Sequence, residues 1–146
     1  VCGAENHHGG QIVAVEISPR MSRDLISLSE SRPGLVPVLG DAKKSNVIAP
    51  IIRSRADWIH QDLSIADQAE TFVKVATNFL VPGGVGLLSL KAASERSSEG
   101  DDNARFHNAE IILKNSKLSL LEKIDLKGLE EQHLLFVCQL RLCSDN

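Results

Sequence analysis

Five side chains in this sequence stand at the ends of short apolar runs, where a sheet would deliver them to a ligand: Glu16, Asp41, Asp62, Lys91 and His133. Glu16, Asp41 and Asp62 come in order at, or just past, the carboxyl ends of three successive runs. In a doubly wound sheet such ends converge on one crevice. An acid at the end of the second strand serves nucleotide sites as an acceptor for the ribose diol, because its two oxygens accept from both hydroxyls. Glu16 takes that place if one strand lies upstream of Val1. Asp41, at the next strand end, could accept from an adenine amino group. Capping and solvation explain any one such acid, whereas three in order favour a binding site.

Lys91 ends an otherwise apolar run and His133 begins the last one. A lysine, an aspartate (Asp62) and a histidine meeting there would suit removal of a proton from a hydroxyl, or its orientation. A lysine takes up a proton only where burial or a second cation favours its neutral form. The plainer alternatives stay open at this point. Lys91 could cover the sheet with its stem and hold its ammonium in water, and His133 could be a turn residue. His7-His8 runs into Gly9-Gly10 without a Cys or carboxylate cluster, so it reads as a loop and no metal is expected. Cys138 alternates with Phe136 and Leu140, which makes it a core residue first. His60 and His107 have no partner legible in the sequence. Trp58 reads as packing, and with 3% aromatic residues a base-stacking platform has little material.

The elements that must position these residues follow from the changing period of the apolar pattern. Gln11–Ile17 is short and β-branched after a glycine pair, which predicts a strand. Pro19 opens a helix with Ser18 as N-cap and Met21, Leu25 and Leu28 on one face, and Arg32-Pro33-Gly34 stops it. Leu35–Leu39 is the next strand, with Pro37 placing it at a sheet edge. Ala56–His60 is a third. Ala66–Leu80 is a helix with Ala69, Val73, Ala76 and Leu80 along one stripe, ended by Pro82-Gly83-Gly84. Val85–Leu90 is nearly all apolar, as a strand covered on both faces would be. Phe106–Asn115 reads as helix, and Leu118–Leu126 and His133–Leu142 as strands. The six residues Lys127–Gln132 are too few for a parallel crossover, which needs about a dozen, so these two strands must pair antiparallel. Ser94–Asn103 is the one low-complexity stretch, either a mobile loop over the carboxyl edge of the sheet or a solvated connector.

Composition sets the bounds. The 146 residues are 42% hydrophobic and 24% charged, enough for one domain with its own core. No apolar run approaches the roughly 18–20 residues a membrane span needs, so no membrane association is expected. The start of the chain has neither the basic residues nor the apolar stretch of a signal peptide. Three cysteines, Cys2, Cys138 and Cys143, cannot all pair and lack Cys-x-x-Cys spacing, which argues for a reduced compartment. A net charge of −3 argues against holding nucleic acid by bulk charge alone. The chain begins at Val1 rather than Met and is read as a possible fragment of a single domain.

Alternating strands and helices predict an α/β fold. A mostly parallel, Rossmann-like sheet ending in an antiparallel hairpin is the layout of the class I methyltransferases, here read with its first strand missing. The sequence resembles the fibrillarin family, box C/D-guided RNA 2′-O-methyltransferases, and especially its archaeal form. The resemblance rests on Val13-Ala14-Val15-Glu16-Ile17-Ser18-Pro19-Arg20 with Arg23-Asp24-Leu25, on Val38-Leu39-Gly40-Asp41-Ala42-Lys43, and on Asp62 through Ala69. Phe79-Leu80 with Gly83-Gly84, Leu90-Lys91-Ala92 and His133 complete it.

The resemblance implies an RNA methyltransferase that binds S-adenosyl-L-methionine. Glu16 would hold the ribose, Asp41 and the Ala42 backbone the adenine, and Asp62 would also lie at the donor. Asp62, Lys91 and His133 would be three of the four members of a Lys-Asp-Lys-His tetrad. It further implies a box C/D guide RNA, a target RNA and a Nop-type scaffold protein as partners, with a cytoplasmic location for an archaeal-type protein and a nucleolar one for a eukaryotic protein. The family's first lysine and Gly-rich loop lie upstream of the stretch that corresponds to these residues, so the chain by itself is expected to bind the donor weakly or not at all. Ile65 replaces a family glutamine, and Glu131-Gln132 replaces the usual Arg-Asp before the histidine. Those departures favour the rival reading, a scaffold-binding module that keeps the fold without the activity. A nucleotide-dependent oxidoreductase also uses an acid at the place of Glu16, but the terminal hairpin counts against it.

Overall fold

The computed structural model describes residues 10–96 and 99–142. The chain divides into two units, Val1–Ser54 and Arg55–Asn146, and each has its own sheet. Cys2, His7, His8 and Cys143 lie outside the described residues.

In the first unit, β1 (Ile12–Glu16) and β2 (Leu35–Leu39) flank α1 (Pro19–Glu30), and α2 (Ser45–Ile48) follows. The helical crossover makes the strands parallel, paired from Ile12 opposite Leu35 to Glu16 opposite Leu39. Pro37 faces Ala14 on a strand with one neighbour in this sheet, where its missing N–H costs least. Ser18 caps α1 as its sequence position predicts, its Oγ accepting the Met21 N–H at 3.4 Å, with Pro19 at the first helical position. The expected apolar face is corrected: Met21 and Leu28 are exposed and Ser22 is the buried residue of α1. The Ser22 Oγ lies 3.5 Å from the Glu16 carbonyl; a small side chain there lets the helix approach the strand end closely. The short α2 was not legible in the apolar period, because one turn is too short to show one.

The second unit contains β3 (Ala56–Asp62), α3 (Gln68–Phe79), β4 (Leu80–Lys91), α4 (Asp102–Lys114), β5 (Leu118–Asp125) and β6 (His133–Leu140). The strand order is β3-β4-β6-β5. β3 and β4 run parallel, whereas β6 is antiparallel to both β4 and β5, so the terminal hairpin forms as its short connection requires. Phe72, Leu80, Leu88, Leu90, Leu113, Phe136 and Cys138 make a core between the sheet and its helices. Each fully buried Phe or Leu contributes about 1.5–3 kcal/mol relative to exposure. The predicted α3 stripe holds at Ala69 and Ala76, while Val73 is only half-buried and Phe72 takes the centre; Leu80 is buried as well, but as the first residue of β4.

Pro82-Gly83-Gly84 does not separate helix from strand as expected. Helix α3 already ends at Phe79, and Leu80 is extended at φ −75° and ψ 146°. The Pro-Gly-Gly segment instead lies inside β4, with a register shift opposite Ala56–Trp58. Gly83 has φ +80°, and a Cβ on Gly84 would meet the Val81 carbonyl at 2.9 Å and that of Asp57 at 3.1 Å, so glycine carries the irregularity. Part of Ser94–Asn103 also departs from both expectations. Glu95 is 1% exposed, the Arg96 N–H donates to the Ala66 carbonyl, and Asp101 caps α4 through the Ala104 N–H at 2.9 Å.

Candidate active site

The predicted residues fall into two groups, one in each unit. In the first, Glu16 ends β1 and Asp41 lies two residues beyond β2. The strands are parallel and in register, so both acids stand at the same, carboxyl end of this sheet. The Gly40 N–H donates to the Glu16 carbonyl at 3.0 Å and ties the two strand ends together. One oxygen of Glu16 accepts the Ser18 N–H at 2.7 Å, and Oδ1 of Asp41 accepts the Lys43 N–H at 2.9 Å. Local capping therefore does occupy each acid in part. A carboxylate has about four acceptor positions, so each keeps the capacity to receive ligand hydroxyl or amino protons. The Ala42 N–H takes no acceptor among the described residues. Two carboxylates and a backbone donor are the groups needed to hold a ribose diol and an adenine edge, so these residues fit a nucleoside.

In the second unit, Asp62 ends β3, Lys91 ends β4 and His133 begins β6. Asp62 stands beside Ser89, and Lys91 beside His133. Since Ser89 and Lys91 are two residues apart, period-two alternation puts Asp62, Lys91 and His133 on one face at one end of the sheet. α3 covers the other face, where a Cβ on Gly86 would meet Phe72. The His133 ring is largely buried, and its Nδ1 lies 2.8 Å from the Glu131 carbonyl and 3.8 Å from a Glu130 carboxylate oxygen. A carbonyl only accepts, so Nδ1 carries the proton in the neutral ring and Nε2 is left as an acceptor.

The departures around Asp62 and His133 act in an unforeseen way. Glu131 orients the His133 ring with its backbone carbonyl, independent of side-chain type. Gln132 adopts φ 59°, and its carbonyl accepts the Ala92 N–H at 2.9 Å, closing β6 onto the end of β4. Ile65 is half-buried between β3 and α3.

Sequence reasoning missed a buried polar group beneath Lys91. The Gln68 carboxamide accepts the Lys91 N–H and donates to the Lys91 carbonyl, both at 3.0 Å. The Gln61 carboxamide donates to the Gln68 carbonyl at 2.8 Å, and Glu95 accepts the Gln68 N–H at 3.0 Å. Gln68, Gln61 and Glu95 are each no more than 5% exposed. One signal was available: Gln68 precedes Phe72 by one turn, so it lies on the apolar stripe, where a polar residue needs a partner.

Comparison with known proteins places this geometry. The sequence model of the family described as Fibrillarin matches residues 6–142. The chain is 36% identical over 128 residues to the fibrillarin-like rRNA/tRNA 2′-O-methyltransferase of Methanococcus voltae, covering 86% of this chain and 54% of that protein. It superposes on a fibrillarin solved in complex with Nop5p with a TM-score of 0.82 and 25% identity, covering 91% of this chain and 62% of that one. Aeropyrum pernix fibrillarin, solved with natively bound S-adenosyl-L-methionine, gives a TM-score of 0.75 and 25% identity, over 88% and 55% of the two chains. The α/β fold is thus that of the class I methyltransferases. The chain spans about half the length of the curated relatives it matches.

Proposed function

The chain belongs to the fibrillarin family, and from that premise we propose that it acts in transferring a methyl group from S-adenosyl-L-methionine to ribose 2′-hydroxyls of rRNA or tRNA. The bound donor supplies an electrophilic methyl carbon on a sulfonium centre. Glu16 accepts from the ribose hydroxyls of the donor, while Asp41 and the Ala42 N–H hold its adenine. Asp62, with Lys91, orients the attacking hydroxyl and helps to remove its proton. Nε2 of His133 completes the network as an acceptor. In-line displacement needs little covalent help, so holding the reacting groups in line contributes most of the rate.

The observation that carries the reading is the common face and common sheet end of Asp62, Lys91 and His133. The resemblance to a fibrillarin solved with Nop5p supports a Nop-type scaffold as partner. A box C/D guide RNA recruited through that scaffold would explain how a chain of net charge −3 engages RNA. The second reading, a scaffold-binding module without activity, is favoured by Ile65 in place of the family glutamine.

Two substitutions in the full-length protein, assembled with guide RNA and scaffold, separate the readings. Lys91→Ala should reduce single-turnover methylation by at least about 100-fold, in the range of general-base contributions, with donor affinity nearly unchanged. Glu16→Ala should weaken donor affinity first, because it removes acceptors for the ribose diol. Calorimetry and single-turnover rates measure the two effects independently. Near wild-type turnover in Lys91→Ala would sink the catalytic assignment, and no turnover in the unaltered assembly would favour the module.

A further inference from the structure

From the hydrogen bonds beneath β4 we infer that Gln68 is a positioning residue for Lys91, an inference that rests on the catalytic reading of Lys91. β3 pairs with β4 only as far as Asp62 opposite Ser89, after which the chain turns away into α3. The N–H and carbonyl of Lys91 are thereby left without a β3 partner on that side. A primary carboxamide carries the same donor and acceptor as a peptide group. Gln68 supplies both, accepting the Lys91 N–H and donating to its carbonyl at 3.0 Å. Its side chain stands in for the backbone of the departed strand and extends the ladder by one residue.

The clamp is itself held. Gln68 is fully buried, its carbonyl accepts from Gln61, and its N–H donates to Glu95. The Glu95 and Ser94 N–H groups fold back onto the Lys91 carbonyl at 3.2 and 3.1 Å. One residue further on, the Ala92 carbonyl accepts from the Arg105 guanidinium at 2.7 Å. On its other side Lys91 is registered against His133. The Lys91 backbone is thus fixed between Gln68 and the strand that carries His133, in the same sheet as Asp62. Without Gln68, the Lys91 N–H loses its acceptor and the Lys91 carbonyl keeps only the Ser94 and Glu95 N–H groups, so the end of β4 is freer to shift. A displacement of about 1 Å at a reacting group costs on the order of 100-fold in rate.

The test uses the full-length assembly with Lys91→Ala, Gln68→Met and Gln68→Glu. Gln68→Met keeps the side chain's length but neither hydrogen bond. It should lower the single-turnover rate by about 10- to 100-fold, leave donor affinity within about threefold, and raise hydrogen exchange at the Lys91 amide while that of Leu88 is unchanged. Gln68→Glu keeps the acceptor but donates to the Lys91 carbonyl only when protonated. Its rate relative to wild type should therefore climb as pH falls from about 8 to 5, whereas the ratio for Gln68→Met stays flat. Loss of packing alone would not produce that contrast. If Lys91→Ala turns over normally, the catalytic reading falls and this inference with it. If Lys91→Ala is inactive while Gln68→Met matches wild type, the positioning role alone is overturned. Should Gln68→Met fail to fold, a pH-independent ratio for Gln68→Glu overturns the proposal.

Discussion

Gly86→Ala probes the packing of the sheet against the helix that carries Gln68. Gly86 lies in β4, and a Cβ placed on it would sit 2.6 Å from Cζ of Phe72 and 3.3 Å from Cε2. Ordinary contact begins near 3.4 Å, so the ring tip must retreat by about 1 Å. Phe72 is fully buried, so a displaced ring presses on its core neighbours. Overpacking of this kind costs about 1–3 kcal/mol. Gly86 is not among the glycines with positive φ, so alanine suits its backbone and regains about 0.4–1 kcal/mol by restricting the unfolded chain. The balance is a net loss of about 1–2 kcal/mol. Urea unfolding measures it as a lower midpoint at constant slope. Phe72→Leu shortens the ring that is struck, so the double variant should show a favourable coupling of at least about 0.5 kcal/mol in a double-mutant cycle. A stabilised Gly86→Ala variant, or strictly additive single effects, would refute the contact as the cause. Because Gln68 lies one turn before Phe72 on α3, the same substitution should also raise hydrogen exchange at the Lys91 amide.

Two further outcomes follow from the ionisable groups. Burial pushes the Cys138 thiol up to about 12, so at pH 8 an alkylating reagent should leave it intact in the folded protein and modify it only after denaturation; peptide mapping by mass spectrometry that finds it labelled at native rates would contradict its burial. Hydrogen bonds from Lys114 and then Lys123, at 2.6 and 2.7 Å, hold the Glu110 carboxyl down at about 2 against an ordinary 4.5. A lowered carboxyl stabilises the fold above its unfolded pKa, and that contribution is lost as pH falls from about 4.5 toward 2. The full shift would convert to roughly 3 kcal/mol, but both lysines are about half exposed, and pairs of this kind yield about 0.2–1 kcal/mol each. Glu110→Gln should therefore cost about 1 kcal/mol at pH 6 and only a fraction of that at pH 2.5, and an equal cost at both pH values in urea unfolding would count against the ion pairs.

What the sequence made legible was set by the range of the interactions involved. β1, β2 and the antiparallel β5–β6 pairing could be read because alternation, capping and the length of one connection are local properties. That β6 inserts between β4 and β5 was not legible, since the partner on its far side is chosen by packing across the sheet. The same limit governed the site. Strand-end position was enough to nominate Glu16, Asp41, Asp62, Lys91 and His133, but not to find Gln68, which acts through a backbone twenty-three residues away. Met21 and Leu28 mark the opposite failure: α1 has an apolar face, yet Ser22 is its buried residue, because close approach to the strand end favoured a small side chain over a large one. Family motifs share this blindness. Glu131-Gln132 looks like a loss beside His133 when side chains are compared, but the orienting groups are the two carbonyls, which any residue provides. Substitutions next to a site weaken it only where the side chain does the holding, and at Glu131 and Gln132 the backbone does it.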